Sequence, residues 1–83
     1  MPVDYVKLLT VLVKPLVVYP EDISVNILSE EELEINIQVL VNKEDLGRVI
    51  GKNGKIANAI RTICYASATK DNRKVNINFD TYE

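Results

Sequence analysis

The residues that most constrain this chain are Leu33, Ile35, Ile37, Val39 and Val41. They alternate with Glu34, Asn36 and Gln38, and only Leu40 interrupts the polar set. A period of two marks a strand with one apolar and one mostly polar face. Ile23, Val25 and Ile27 repeat it against Ser24 and Asn26, and Val75, Ile77 and Phe79 repeat it against Asn76, Asn78 and Asp80. A sheet of such strands exposes its apolar face to water unless a layer of helices covers it. Only Ser29-Glu30-Glu31-Glu32 separates the first two strands, so they should pair as an antiparallel hairpin.

The sequence supplies the cover. Residues 4–18 place Tyr5, Leu8, Leu9, Leu12 and Leu16 at helical spacing behind Asp4, a candidate N-cap. Pro15 cannot donate to the carbonyl four residues earlier, which predicts a kink or break there. Pro20-Glu21-Asp22 then turns the chain. Asn42 is placed to cap a short helix over 43–50, with Glu44 and Asp45 in its first turn, where the helix dipole favours acids. Residues 55–70 read as a longer helix with Ile56, Ala59, Ile60 and Ile63 on its buried stripe. The expectation is an α+β fold in two layers, ordered helix, strand, strand, helix, helix, strand, with a three-stranded sheet covered on one face. A chain of 83 residues has no room for a second core, so residues 1–83 read as one domain. It divides into a helix and turn (1–22), a hairpin (23–42), two helices around a loop (43–70) and a last strand (73–80).

Several function classes are excluded at once. With one cysteine, Cys64, and no histidine, an intramolecular disulfide cannot form and no nitrogen/sulfur metal set exists. The commonest general base is missing too, so neither an enzyme nor a cofactor is expected. Met1-Pro2-Val3-Asp4 has no basic leader, and the apolar stretch Val11–Tyr19 is interrupted by Lys14 and Pro15 and too short to span a bilayer. A cytoplasmic, reduced protein is expected.

The chemistry concentrates between the last two helices. Val49-Ile50 ends one helix, Gly51-Lys52-Asn53-Gly54 follows, and Lys55-Ile56 opens the next. Glycines admit positive φ and close approach of another backbone. A fresh helix N-terminus aims unpaired N–H groups and the positive end of its dipole at the same space, and Lys52 and Lys55 add full charges. These features together make a cradle for one or two phosphates. A Walker-type loop is excluded, because only three residues separate Gly47 from Gly51 and Asn53 follows Lys52. A ligand-free turn between helices is the bland alternative.

The stretch Val49-Ile50-Gly51-Lys52-Asn53-Gly54-Lys55-Ile56-Ala57-Asn58-Ala59-Ile60 resembles the signature of the KH domain, an RNA-binding module. The extra helix and strand ahead of it resemble the bacterial type II arrangement. Val13-Lys14-Pro15-Leu16-Val17 with Tyr19-Pro20-Glu21-Asp22, and Gly47-Arg48 through Lys55 with Ala59-Ile60-Arg61-Thr62, resemble the KhpA-like family of small stand-alone bacterial KH proteins. The likeness covers essentially the whole chain. It departs at Lys55, where many relatives carry Arg, which keeps the charge but loses the guanidinium fork.

The resemblance implies that the loop clamps about four nucleotides of a single strand. Gly51 and Gly54 would admit the RNA backbone, Lys52, Asn53 and Lys55 would contact phosphates, and Val49, Ile50 and Ile60 would wall the base groove. For Arg48 and Arg61 two readings stand, the RNA rim or surface ion pairs. The implied partners are single-stranded RNA, a second copy of the chain, and a larger multi-domain KH protein of the KhpB (Jag) kind. Post-transcriptional regulation, RNA-chaperone activity and a link to the cell envelope and cell shape are also implied. The alternative is a dimerising protein-interaction module with little RNA binding of its own. Lys70, Arg73 and Lys74 form a second phosphate contact or a solvated turn, and the turn is the simpler reading. Tyr65 lies off the buried stripe, where it would stack on a base, sit in a dimer interface or be partly buried without a role, the last being the simplest reading, and Cys64 reads as core.

The formal net charge of -2 argues at first against nucleic acid. Its distribution argues otherwise. Residues 1–47 carry 3 basic and 9 acidic side chains, whereas residues 48–74 carry 7 basic and 1 acidic. The basic block coincides with the glycine loop and the helix after it, so a local anion site is expected within an acidic whole.

Overall fold

In a computed structural model that describes residues 3–82, the chain runs α1 (Tyr5–Val13), β1 (Ser24–Glu30), β2 (Glu34–Val41), α2 (Leu46–Ile50), α3 (Lys55–Lys70) and β3 (Lys74–Thr81). This is the expected α+β order. The strands lie in the order β1-β2-β3. β1 pairs with β2 antiparallel, as the short connection requires, and β2 pairs with β3 in parallel, Ile35 opposite Val75 and Ile37 opposite Ile77. A parallel pair needs a long crossover, and α2, the glycine loop and α3 supply it.

The central strand obeys the period-two pattern along its length. Ile35, Ile37, Val39 and Val41 are buried while the residues between them are half-buried. With Val75 and Ile77 of β3 they form the sheet side of the core, closed by Tyr5, Leu9 and Val13 of α1 and by Ile60, Cys64 and Ala68 of α3. Asp4 caps α1 as expected, its Oδ1 accepting from the Lys7 N–H at 3.1 Å. The helix breaks where Pro15 demands it, and Lys14–Leu16 tighten into a 3-10 turn. A second 3-10 turn, Pro20–Asp22, redirects the chain into β1.

Five expectations are corrected. The buried stripe of α3 is Ala57, Ile60, Cys64 and Ala68, whereas Ala59 is exposed and Ile63 is 46% exposed. Apart from Ile60 the helix turns small residues inward, a choice that hydrophobicity alone does not favour. The helix expected from residue 43 begins at Leu46, and Asn42 stabilises a turn instead, accepting from the Glu44 N–H at 2.9 Å. Asp45 therefore stands at the N-cap position rather than within the first turn. In the hairpin, Leu33 falls in the turn and is 63% exposed. A register shift in β1 between Ile27 and Ser29 leaves Ile27 and Leu28 exposed too.

Candidate functional site

α2 ends at Gly51, whose φ of 76° and ψ of 174° lie where essentially only glycine goes. A Cβ there would sit 2.6 Å from Ile56 Cγ1 and 2.9 Å from Ile56 Cβ. The side chain of Ile56 is thus packed over the bare Cα of Gly51, pulling the loop down onto the first turn of α3. Asn53 (φ 58°) and Gly54 (φ 75°) are both left-handed. A Cβ at Gly54 would meet only Asn58 Nδ2 at 3.8 Å, so its dihedral angle, not space, asks for glycine. Asn53 was expected as a phosphate contact, and its left-handed backbone shows a second use, since Asn tolerates that region better than most residues. The loop closes on itself through Gly51 N–H to Gly47 O at 2.9 Å and Gly54 N–H to Gly51 O at 3.2 Å.

This tight turn carries Lys52 and Lys55 outward. Both are exposed, and neither forms an ion pair among the described residues. The arginines are committed elsewhere. Arg48 donates to Asp45 Oδ1 at 3.2 Å and to the Glu44 carbonyl at 2.6 Å. Arg61 lays its Nε on the Ile77 carbonyl at 3.1 Å and its Nη1 on Asn58 Oδ1 at 3.1 Å, with the guanidinium 5.2 Å from the centre of the Phe79 ring. Arg73 reaches Glu30 Oε2 at 3.3 Å and the Glu31 carbonyl at 2.8 Å. The readings left open for Arg48 and Arg73 thus gain a structural partner in each case. Lys52 and Lys55 at the loop, by contrast, have no such partner among the described residues.

Of the residues expected to wall a groove, Ile50 is half-buried beside the loop. Val49 has no exposed surface and Ile60 only 5%, which makes them the floor beneath the site rather than its walls. Arg61 stands at the margin, where α3 approaches β3, and β3 has a neighbouring strand on one side only.

Sequence reasoning missed Asp45. It is fully buried, accepts from the Val18 N–H at 2.9 Å and the Tyr19 N–H at 3.0 Å, and is paired with Arg48. Burial alone would raise its pKa, but the two backbone N–H groups and the guanidinium together hold it below the ordinary carboxylate value. Asp45 ties the segment after α1 to the start of the helix that delivers the glycine loop. The only sequence signal was Arg48 three residues later; its backbone partners lie 26 and 27 residues away.

The site can hold anions by charge and by close backbone approach. Among the described residues no cluster of three or more His, Cys, Asp or Glu could hold a metal, and no helix is long and apolar enough to cross a membrane.

A family model described as "KhpA/KhpB, KH domain" matches residues 6–79. Among curated proteins, "RNA-binding protein KhpA" of Listeria monocytogenes is 44% identical over 71 residues, covering 86% of this chain and 92% of the relative. The protein of the same name from Oceanobacillus iheyensis is 48% identical over 64 residues, 77% of this chain and 84% of its own. That from Bacillus subtilis is 44% identical over 64 residues, 77% and 78% respectively. No solved structure gives a significant match.

Proposed function

The chain belongs to the KhpA/KhpB KH-domain family, and on that footing we propose that it binds single-stranded RNA through the loop Gly51–Gly54. The observation that carries this reading is the pair of unpaired lysines, Lys52 and Lys55, on a loop held at positive φ by Gly51, Asn53 and Gly54 against the start of α3. Lys52 and Lys55 contact phosphates, the loop backbone approaches the strand closely, and Ile50 and Arg61 border the bases. Few phosphates are engaged, so affinity is modest and rises as salt falls. The acidic remainder of the chain disfavours indiscriminate polyanion binding. The relatives are named as RNA-binding proteins rather than enzymes, and this chain shares that role in our reading.

Amide shift mapping tests the site. Titration with short unstructured RNA should move the amides of residues 51–56 first. Shifts confined to other surfaces would overturn the reading.

A protein contact accompanies the RNA site in this proposal. Ile27, Leu28 and Leu33 expose 42%, 59% and 63% of their surfaces along the edge strand β1 and its turn. A second copy of the chain, or a larger KH protein of the KhpB (Jag) kind, would cover them. Light scattering at tens of micromolar should show a dimer, and a strict monomer would count against self-association. Cytoplasmic RNA-chaperone activity, post-transcriptional regulation and an influence on envelope growth and cell shape complete the proposal. They would be tested by crosslinking and sequencing the bound RNA and by the shape of cells lacking the protein.

A further inference from the structure

Toward the C-terminal end of α3, beyond Arg61, the helix and β3 border a cavity of about 360 Å³ lined by Tyr65, Ala68, Thr69, Arg73, Lys74 and Val75. A second cavity, of about 370 Å³, shares Thr69, Arg73 and Lys74 with it and adds Leu33 and Asn72. Arg61, Tyr65 and Thr69 follow one another at intervals of four along one side of α3, so a single strip of helix faces both the Phe79 margin and these cavities. Tyr65 is 44% exposed. Lys74 is exposed and forms no ion pair among the described residues, unlike Arg73, whose charge Glu30 already meets. Arg73 Nε is buried with no hydrogen-bond partner among the described residues.

An aromatic ring beside a free ammonium group, on an apolar floor of Ala68 and Val75, matches a nucleotide: a flat base with a phosphate attached. Arg61 and Thr69 are eight residues apart on the helix, about 12 Å, which leaves room for roughly two to four nucleotides beyond the loop site. We propose that this cavity is a second nucleotide subsite, in which Tyr65 stacks on a base and Lys74 holds a phosphate of the strand whose other phosphates lie on the glycine loop. The proposal rests on the RNA-binding reading above. The chain then senses the length of its single strand: about four nucleotides fill the loop site, and roughly six to eight fill both.

Anisotropy with labelled RNA tetramers and octamers of mixed sequence tests this. The parent should bind the octamer more tightly, with a log–log salt slope steeper by about 0.7 for each added phosphate contact. Tyr65→Ala should weaken octamer binding by about 5- to 150-fold and leave the tetramer unchanged, while Tyr65→Phe keeps octamer affinity. Lys74→Ala should remove the added slope. Both side chains are exposed, and unchanged circular dichroism will show that the variants fold. Equal octamer binding by parent and both alanine variants overturns the subsite, as does equal loss on tetramer and octamer. If the parent binds the tetramer but gains nothing with the octamer, the subsite alone fails. If it binds neither, the RNA-binding reading fails with it.

Discussion

Alanine at Gly51 and at Gly54 should have unequal effects, although the two glycines look alike in the sequence. Gly51 sits at φ 76°, ψ 174°, a region that costs a residue with a Cβ about 1–3 kcal/mol. The added methyl would also lie 2.6–2.9 Å from three side-chain atoms of Ile56. The nearest is Cγ1 at 2.6 Å, and Cβ at 2.9 Å is fixed to the helix backbone, so relief requires moving the first turn of α3 at a further ~1–3 kcal/mol. Loss of glycine's freedom in the unfolded chain returns about 0.4–1 kcal/mol. The net for Gly51→Ala is about 3 kcal/mol. Gly54 at φ 75°, ψ 13° pays only the left-handed penalty of ~1–2 kcal/mol, less the same return, because nothing crowds its Cβ. Its net is about 0.5–1 kcal/mol. A domain of this size has a total stability of roughly 4–12 kcal/mol, so Gly51→Ala removes a large part of it. Urea unfolding followed by circular dichroism should show the midpoint of Gly51→Ala far below that of Gly54→Ala, with melting temperatures separated by roughly 8–20 °C. Equal midpoints, or a lower one for Gly54→Ala, would refute the assignment of Ile56 as the clamp on the loop.

Asp45 makes the second prediction. Its folded pKa lies below the ordinary carboxylate value, so its contribution is present above about pH 4 and is lost as pH falls through the folded value. Asp45→Asn should therefore be less stable than the parent at pH 7, and the gap should narrow on acid titration; a gap constant from pH 7 to pH 2 would contradict the ionised clamp on Val18 and Tyr19. Burial pushes the Cys64 thiol up to about 11 and leaves no exposed surface. Thiol reagents at pH 8 should leave the native protein unlabelled for hours and label it fully in urea, whereas prompt native labelling would contradict the buried position.

The alternation in β2 and the proline at the end of α1 are strong local signals, and the structure follows both. The buried stripe of α3 departs from the expected one because Cys64 and Ala68 join the core with small side chains, while the more apolar Ile63 is 46% exposed. Size complementarity between two layers is a property of the packed pair, and one segment does not display it. Asp45 escaped for a related reason: its partners are backbone N–H groups, which every residue but proline carries and no sequence pattern marks. The glycine loop was legible because its requirements are local, being positive φ, two lysines and a helix start within five residues, Gly51–Lys55. The parallel partner of β3 was not, since alternation tells which face is apolar and says nothing of strand direction.

The most direct measurement is the salt dependence of RNA binding by the parent and by Lys52→Asp/Asn53→Asp. Both altered side chains are exposed and neither is in the core. Two or three phosphate contacts at the loop give a log–log slope of about -1.4 to -2.1 on a single strand. The parent should show that slope, and the double variant should lose most of its affinity at low salt while keeping the parent's circular dichroism. Equal affinity and equal slope for the two proteins would contradict the loop as the seat of binding.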